Sequence, residues 1–339
     1  MSNILENKVS IITGSSKGLG LEIARTFLKN GSHIILNSRN EKELISIRDQ
    51  LNNLNISSAS IEIFEGDISS EEVCNELINF SIEKFGDVDI LVNNAGVYGP
   101  MGPVETNGWK VWRKAFEINF YGSAYLISAI LPHFKKKNEG KIIQLSGGGA
   151  TKPLPNFSSY SASKSAIVRF CETISEEVKD YNIQVNCVAP GGLNTQMLDQ
   201  VLEQGPKVVG KNYYEQAIKQ KESGGASLAE GSNLILFLAS EESNGISGKL
   251  ISAVWDNWGD FTKNIEKLSS SDVYTLRRVV GKDRDFKEGD EIRFFGDRME
   301  EGGNDYSLSI SISERNLGYA FQVDTYKDVW YMLKNKTHA

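Results

Sequence analysis

The sequence contains little cysteine and little histidine. It has three residues of each among 339. Cys74, Cys171 and Cys187 are far apart, and none belongs to a Cys-x-x-Cys pair. This argues against a disulfide framework, a structural zinc site and a histidine-based metal centre. We therefore expect three buried thiols in a reducing cytoplasmic compartment, and no metal.

The sequence also lacks a strong charge of one sign and a long apolar run. Lys and Arg total 37 against 44 Asp and Glu, a net charge of −7, so no basic field is available to hold a polyanion. No segment approaches the ~18 apolar residues of a membrane-spanning helix, and residues 1–7 lack a signal-peptide pattern. We expect a soluble cytoplasmic protein that binds neither nucleic acid nor membranes.

The chain from residue 8 to about residue 254 alternates between two kinds of segment. Apolar runs rich in Val, Ile and Leu alternate with longer amphipathic stretches, which predicts parallel strands joined by crossover helices. The predicted strands are residues 9–13, 33–37, 61–65, 90–93, 141–145, 184–189 and 250–254; the predicted helices are residues 19–30, 41–51, 71–85, 109–133, 159–181 and 228–239. Seven such strands make one doubly wound α/β sheet that helices bury on both faces.

Two regions interrupt this regularity. Residues 190–225 are longer than an ordinary connection, which predicts either a binding lid or an insertion of small helices. Residues 260–299 hold 18 charged residues among 40, typical of a solvated segment. Beyond them, alternating apolar and polar residues at 306–313 and 317–323 predict a β-hairpin, with 292–295 as a candidate third strand. We therefore predict a catalytic domain over residues 1–255 and an interface or partner-binding extension over residues 256–339.

A glycine-rich turn with the sequence TGSSKGLG occupies residues 13–20, between the first predicted strand and the first predicted helix. Glycines let the backbone approach a pyrophosphate, whose charge then lies at the helix N-terminus. This position in a βαβ unit favours dinucleotide binding over a purely structural turn. The turn residues expected to bind the cofactor are Gly14, Ser16, Lys17, Gly18, Leu19 and Gly20.

The tip of the second predicted strand lacks the acid that an NAD-selective site places against the ribose 2′-hydroxyl. The sequence there is Asn-Ser-Arg-Asn at residues 37–40. Arg39 can pair in a bidentate manner with a 2′-phosphate, and Lys17 offers a second cation; the alternative is that both are ordinary exposed residues. We predict NADP(H) rather than NAD(H), with Ser38 and Arg39 at the 2′ position.

The sequence at this point resembles the compact branch of the short-chain dehydrogenase/reductase family. The resemblance rests on the glycine-rich turn, Asp-Ile-Ser at 67–69, Asn-Asn-Ala-Gly at 93–96, Asn119, Tyr-x-x-x-Lys at 160–164 and Pro-Gly-x-x-x-Thr at 190–195, in family order. It implies a Rossmann-like fold and simple hydride transfer. It also implies that the adenine is held by Asp67 and Ile68, that the adenosine ribose is framed by Asn93, Ala95 and Gly96, and that the nicotinamide is flanked by Pro190, Gly191, Leu193 and Thr195.

Tyr160 and Lys164 lie four residues apart in a helical stretch, so both project from one face. An ammonium beside the phenol would lower the tyrosine pKa from its usual value of about 10. Tyr160 would then donate a proton to a ketone oxygen as hydride reaches the carbon. The resemblance implies that Lys164 also binds ribose hydroxyls and that Asn119 holds a water that relays protons to solvent.

The sequence departs from the family at residue 147. Members usually carry a serine thirteen residues before the tyrosine, where it hydrogen-bonds the carbonyl oxygen, and here that residue is Gly147. Ser146 is one residue too early, and on a regular strand it would face away unless the chain turns. Either the Ser146 hydroxyl or the backbone N–H groups of the glycines at 147–149 would supply the donor.

Residues 97–108, 147–157 and 190–226 are expected to form the substrate site. They carry aromatic residues and several lysines, so carbonyls of sugar derivatives, acyl thioesters and steroid-like ketones all stay open. We predict an NADP(H)-dependent ketone reductase or secondary alcohol dehydrogenase for a small molecule such as a sugar or sugar-nucleotide-like carbonyl. The alternatives are a catalytically impaired cofactor-binding regulator or assembly scaffold, and an enzyme whose hairpin recruits a partner chain. Members of the family are usually homo-oligomers, so the resemblance implies a homodimer or homotetramer.

Overall fold

A seven-stranded parallel sheet organises the larger part of the chain. The computed structural model describes residues 3–54, 58–280, 283, 292–296 and 318–322. The strands of the sheet are β1 (Val9–Thr13), β2 (His33–Ser38), β3 (Ile61–Glu65), β4 (Ile90–Asn93), β5 (Gly140–Leu145), β6 (Ile183–Ala189) and β7 (Leu250–Ser252). They pair in the order β3-β2-β1-β4-β5-β6-β7. The predicted doubly wound α/β fold is confirmed.

Helices connect the strands and cover the sheet. They are α1 (Gly18–Lys29), α2 (Glu41–Asn53), α3 (Glu71–Phe85), α4 (Trp109–Phe116), α5 (Ser123–Lys137), α6 (Ser158–Glu177), α7 (Gln196–Gln204), α8 (Pro206–Val209), α9 (Lys211–Ser223), α10 (Leu228–Ala239) and α11 (Ile265–Ser269). Short 3-10 turns occur at Val104–Thr106, Glu241–Ser243 and Trp258–Asn264. The predicted helix 109–133 is divided by a π turn at Glu117–Gly122. Residues 190–225 hold α7, α8 and α9, so the small-helix alternative is confirmed. Within the described ranges, no helix is both long and apolar enough to cross a bilayer.

The core is divided by the sheet into two apolar layers. Ile12 and Val92 belong to the layer covered by α1 and α10, whereas Ile11 and Leu91 belong to the layer covered by α3, α5 and α6. Because both faces are covered, all five residues of β1 are buried. The carboxyl ends of the strands stay clear of this packing and meet at one edge of the sheet.

Residues 256–276 pack on the same unit as the sheet. The chain divides into two compact units, Met1–Leu276 and Arg277–Ala339. Phe261 and Leu268 are buried in the layer that α1 and α10 cover. Leu250 N donates to the Tyr274 carbonyl oxygen at 2.7 Å, which joins this segment to β7. The first unit therefore continues beyond the predicted boundary at residue 255.

The predicted hairpin falls largely outside the described residues. Strand β8 (Ile292–Gly296) contains the predicted strand 292–295, and strand β9 (Gly318–Gln322) lies inside the predicted strand 317–323. These two strands pair in parallel, whereas a hairpin pairs its strands antiparallel. The predicted strand 306–313 lies outside the described residues, so the hairpin itself stays a prediction.

Candidate active site

The predicted site residues lie at or just beyond the carboxyl ends of the parallel strands, or on α6 and the π turn beside them. Those at or after strand ends are Gly14, Ser16, Lys17, Gly18, Leu19, Gly20, Ser38, Arg39, Asp67, Ile68, Asn93, Ala95, Gly96, Ser146, Pro190, Gly191, Leu193 and Thr195. Parallel strands end on the same side of a sheet, and ligands of open α/β folds bind there. The fold therefore brings the predicted residues to one edge.

The glycine-rich turn opens α1 toward solvent. Gly14 and Gly18 have φ angles of +61° and +55°, where a side chain would be strained. A Cβ at Gly20 would lie 2.3 Å from the Gly14 carbonyl oxygen. Lys17, at the N-cap position, makes no side-chain cap hydrogen bond, and the first turn of α1 holds no acid. The first N–H groups of α1 are thus left for an anion, so the turn fits a pyrophosphate.

Asn94 joins this turn to the loop after β4. Its Nδ2 donates to the carbonyl oxygens of Thr13 at 2.9 Å and Gly14 at 3.1 Å. The backbone N–H groups of Asn94 and Ala95 both donate to Thr13 Oγ1, at 3.0 and 3.1 Å. The sequence predicted no individual role for Asn94 or Thr13. An amide directly after a buried strand could have indicated that Asn94 holds the neighbouring loop.

The tip of β2 and the glycine-rich turn are neighbours. Ser15 N donates to the Asn37 carbonyl oxygen at 3.1 Å, and Ser38 Oγ accepts from Asn40 N at 3.3 Å. Arg39 and Lys17 are both exposed. Neither cation is paired with a carboxylate in the part of the chain that the structure describes. Both are available to a phosphate.

Asp67 is an ionised acceptor beside the tip of β3. Its Oδ1 accepts from Ser69 N at 3.0 Å and from Ser69 Oγ at 2.8 Å, and Lys114 Nζ lies 3.4 Å from its Oδ2. Burial acts to raise the pKa of Asp67, but the Ser69 hydrogen bonds and the Lys114 charge outweigh it and lower that pKa. With Ile68 buried alongside, the carboxylate fits an amino group on a flat base.

The loop after β6 reaches the glycine-rich turn. Thr195 Cγ2 lies 3.4 Å from the position of a Cβ at Gly18. Gly191 has a φ of +89°, and a Cβ there would lie 2.9 Å from Ala226 Cβ. Leu193 forms an isolated parallel bridge with Ala226. The loop is thus held by the segment before α10 and approaches the open end of α1 at Thr195.

Tyr160 and Lys164 are buried together on α6. The exposed fraction is 8% for Tyr160 and 3% for Lys164. Lys164 Nζ donates to the Leu145 carbonyl oxygen at 2.8 Å and lies 5.8 Å from the centroid of the Tyr160 ring. Burial lowers the pKa of Lys164 to about 8, and burial raises the pKa of the Tyr160 phenol. In the chain by itself, both shifts favour the neutral form.

Asn119 braces the loop after β4. Its Oδ1 accepts from Val97 N at 2.8 Å, while its Nδ2 donates to Val97 O at 2.8 Å and to Ser163 Oγ at 3.0 Å. A Cβ at Gly96 would lie 3.3 Å from Asn119 Oδ1 and 3.4 Å from Lys164 Nζ. The Asn119 side chain is thus committed to the scaffold around Lys164.

The position of the family serine is taken up by the tyrosine. A Cβ added at Gly147 would lie 2.0 Å from the Tyr160 hydroxyl oxygen, far inside van der Waals contact. Ser146 is 5% exposed, and its Oγ has no hydrogen-bond partner among the described residues. A side chain at residue 147 and Tyr160 in its present place exclude one another.

Aromatic side chains surround Tyr160. The Tyr98 ring meets it edge-on at a centroid distance of 4.8 Å, and Phe157 lies 5.3 Å from Tyr98 and 4.8 Å from Tyr213. Burial, reinforced by the Tyr213 and Tyr160 phenols, raises the pKa of Tyr98. A cavity of about 610 Å³ is lined by Tyr98 together with Lys114 and other residues. Aromatic residues of the segments expected to form the substrate site, including Tyr98, Phe157 and Tyr213, therefore form an aromatic wall next to Tyr160.

Comparison with known proteins assigns the chain to a family. The family model of short chain dehydrogenases matches residues 8–205. Dehydrogenase/reductase SDR family member 4 of Caenorhabditis elegans is 31% identical over 247 residues, which cover 73% of this chain and 93% of that protein. A diacetyl reductase that forms (S)-acetoin, from Staphylococcus epidermidis, is 31% identical over 251 residues, which cover 72% of this chain and 96% of that protein.

Solved structures agree with this assignment. The structure of NAD⁺-bound xylitol dehydrogenase covers 73% of this chain and 98% of its own, with 25% identity and a TM-score of 0.66. Levodione reductase covers 77% and 99%, with 22% identity and a TM-score of 0.67, and so supports the fold. The fold is that of a nucleotide-dependent oxidoreductase. The chain belongs to the short-chain dehydrogenase family, and its cofactor is an NAD(P) nucleotide.

Proposed function

We propose that this protein is an NADP(H)-dependent ketone reductase or secondary alcohol dehydrogenase, with Tyr160 as the general acid and base. The observation that carries the proposal is the buried pair on α6. Lys164 is held by the Leu145 carbonyl beside Gly96, and Tyr160 stands next to it at the edge where α1 is open to an anion.

The residues present fit a dinucleotide. The glycine-rich turn would bind the pyrophosphate, Asp67 and Ile68 the adenine, and Lys164 the nicotinamide ribose. The remaining cofactor contacts are assigned to Asn93, Ala95, Gly96, Pro190, Gly191, Leu193 and Thr195. When bound, the nicotinamide supplies the hydride. Two exposed cations, Lys17 and Arg39, without an acid at the tip of β2 support NADP(H), even though the similar xylitol dehydrogenase holds NAD⁺.

Tyr160 donates its proton to the carbonyl oxygen during reduction and accepts a proton from the alcohol during oxidation. Burial keeps the phenol protonated in the chain alone, so the ammonium of Lys164 and the bound cofactor must supply the stabilisation that lets it ionise. With a pKa of about 8, Lys164 is mainly protonated at pH 7. Because the Asn119 side chain is committed to Val97 and Ser163, a relay water would be held by the Asn119 backbone carbonyl.

The carbonyl oxygen needs a second donor, because negative charge develops on it as the hydride arrives. The two candidates from sequence stand here as well: the buried Ser146 hydroxyl and the backbone N–H groups at residues 147–149. The aromatic wall and the neighbouring cavity suit a small molecule with flat apolar faces and hydroxyls, such as a sugar or sugar-nucleotide-like carbonyl. We further propose a cytoplasmic homodimer or homotetramer.

The test follows NADPH oxidation at 340 nm across keto sugars, diacetyl, acyl ketones and quinones. We expect turnover of at least one class by the wild-type protein and a loss of about 10³-fold or more in Tyr160→Phe. Activity that survives Tyr160→Phe would contradict the assigned acid. Tight NADPH binding with no turnover of any compound would instead favour the regulator or scaffold, for which the glycine at residue 147 is the supporting observation.

A further inference from the structure

We propose that the main-chain N–H of Gly147 is the second hydrogen-bond donor to the substrate carbonyl oxygen. The inference rests on the proposed reductase function and identifies a catalytic group in it. It begins from the 2.0 Å separation between the Tyr160 hydroxyl oxygen and the position of a Cβ at Gly147. No side chain at this residue can act as a donor while Tyr160 keeps its place.

The same separation brings the tyrosine hydroxyl close to the Gly147 nitrogen. In any residue the backbone nitrogen is about 2.5 Å from the Cβ position, so Tyr160 Oη lies at most about 4.5 Å from Gly147 N. An oxygen that accepts at about 2.7 Å from a hydroxyl and about 2.9 Å from an N–H can bridge that distance. One carbonyl oxygen can therefore be held by both groups.

The Gly147 N–H is available for this bond. Its neighbour Ser146 N donates to the Val188 carbonyl oxygen at 2.8 Å, and Ala150 N donates to the Gly147 carbonyl oxygen at 3.2 Å. Gly147 N itself has no acceptor within the described ranges, and the residue is partly exposed. Since folded chains rarely leave a backbone N–H without an acceptor, this one is available to solvent or a ligand.

The Ser146 hydroxyl is less accessible than the Gly147 N–H. Leu145 belongs to the core layer that α1 and α10 cover, and side chains alternate between faces along a strand. The Ser146 side chain therefore lies, like Ile142, on the sheet face that α6 covers. Its Oγ is buried there and has no hydrogen-bond partner among the described residues. Its 5% exposure is consistent with that position, whereas the Tyr160 hydroxyl occupies the space over Gly147.

The chemistry of the step gives the N–H its role. A C–H bond of the reduced nicotinamide would break as a C–H bond forms at the carbonyl carbon, and the C=O π pair moves onto oxygen. An O–H bond then forms on that oxygen as the Tyr160 O–H bond breaks, which leaves a phenolate beside the Lys164 ammonium. The ketone is reduced and the cofactor is oxidised. The Gly147 N–H donates to the carbonyl oxygen while that oxygen carries negative charge. A fixed donor at this stage stabilises the transition state and so lowers the barrier.

The test removes this N–H without adding a Cβ. Gly147 is replaced by glycolic acid, which changes its amide to an ester, and diacetyl reduction by NADPH is the probe. We expect kcat to fall about 10²-fold, with the Kd for NADPH, measured by its fluorescence, unchanged. The matched control is the same replacement at Gly148, which is exposed and whose Cβ position meets nothing within 4 Å; we expect it to keep its rate.

Ser146→Ala separates the two candidate donors, and we expect its kcat to match the wild type. Full activity in the Gly147 ester, or a 10²-fold loss in Ser146→Ala, overturns the inference and leaves the reductase function standing. A loss in the Gly148 ester equal to that in the Gly147 ester also overturns the assignment to Gly147. A wild-type protein that reduces no carbonyl in the panel overturns the proposed function and this inference together.

Discussion

The Tyr160 hydroxyl occupies the space that a side chain at Gly147 would need, at the carboxyl end of β5. A serine restored at residue 147 would therefore displace Tyr160. Gly147→Ser would bring a Cβ to 2.0 Å from the tyrosine hydroxyl, so Tyr160 must move. A displacement of about 1 Å at a reacting group can cost about 10²-fold in rate. We expect Gly147→Ser to lose activity in a steady-state assay, while Gly148→Ser stays active. A faster Gly147→Ser enzyme would contradict this account.

The Leu145 carbonyl oxygen accepts hydrogen bonds from two side chains, Lys164 and Gln144. The Gln144 amide therefore affects how well this oxygen stabilises the Lys164 ammonium. Gln144 Nε2 donates to it at 3.0 Å beside the 2.8 Å bond from Lys164 Nζ. Gln144→Met leaves that oxygen to the ammonium alone, which stabilises the charged form. We expect the pKa of Lys164 to rise from about 8, by roughly half a unit to one unit.

The readout for Gln144→Met is the Kd for NADPH measured against pH. Binding that needs the Lys164 ammonium is strong below its pKa and weakens as pH rises through it, so the midpoint should move to higher pH in the variant. Gln184→Met makes the same chemical change at a buried glutamine on β6 and should leave the midpoint where it was. Equal midpoints in all three proteins would mean that Gln144 has only a packing role.

Arg39 carries the proposed preference for NADP(H). Arg39→Asp replaces the partner of a 2′-phosphate by an acceptor for a 2′-hydroxyl. We expect NADPH affinity to fall about 10- to 100-fold, the size of a charge-assisted hydrogen bond, and NADH affinity to rise. Fluorescence titration of both cofactors measures the ratio, with Arg48→Asp, at a partly exposed arginine of α2 that pairs with Asp49, as the control. NADPH affinity that survives Arg39→Asp would show the assignment to be wrong.

Among the elements, the strands were the most predictable and the π turn the least. Strands β1 to β6 follow the predicted ranges closely, because helices on both sheet faces leave an unbroken apolar run that is easy to read. The predicted helix over 109–133 missed the break at the π turn, since one inserted residue hardly alters the apolar spacing. Asn119 sits in that break and reaches Val97 from it, a contact that no local pattern specifies.

The segment after β7 is an element of the core rather than the start of a separate extension. Phe261 is 6% exposed, so Phe261→Ala removes buried apolar surface and leaves a cavity. We expect the free energy of unfolding to fall by about 3 kcal/mol in urea denaturation. Trp255→Ala removes a larger side chain that is 84% exposed and should change it little. Equal losses in both variants would contradict the packing described.

At the scale of the molecule, the order of motifs predicted the fold and the edge where the site lies, because parallel strands deliver their ends to one side. The sequence could not predict which atoms meet there. Two such contacts are the close approach of Tyr160 to Gly147 and the hydrogen bond from Asn94 to Thr13. Each depends on distances between distant segments that must be correct to a few tenths of an ångström. A net charge of −7 is compatible with NADP(H) binding because the two proposed cations, Lys17 and Arg39, act locally.

A run of aromatic rings along α4, the π turn and α5 bears on assembly. Trp109, Trp112, Phe116, Tyr121 and Tyr125 follow one another at centroid distances of 5.4 to 6.1 Å. Trp109 is 62% and Tyr121 45% exposed, and the other three are partly exposed. Exposed apolar surface of this kind is typical of interfaces, so we predict that the proposed homo-oligomer forms through it.

The doubly substituted Trp109→Glu, Tyr121→Glu protein tests this surface. We expect light scattering to report a smaller assembly than the wild type, because two carboxylates would be buried unpaired at the contact. Trp255→Glu, at another exposed tryptophan, should keep the wild-type mass. A monomeric wild type, or an unchanged mass in the double variant, would dispose of the predicted homo-oligomer through this face.

The bond from Leu250 N to the Tyr274 carbonyl has a further consequence. An outermost strand with unpaired backbone groups can template the addition of a strand from another molecule, which leads to aggregation. The sheet ends in β7 on one side and β3 on the other. Residues 256–276 cover the first of these borders, while Glu62 and Glu65 place carboxylates along the second. The same segment that lengthens the core thus also guards the protein against self-templated strand addition.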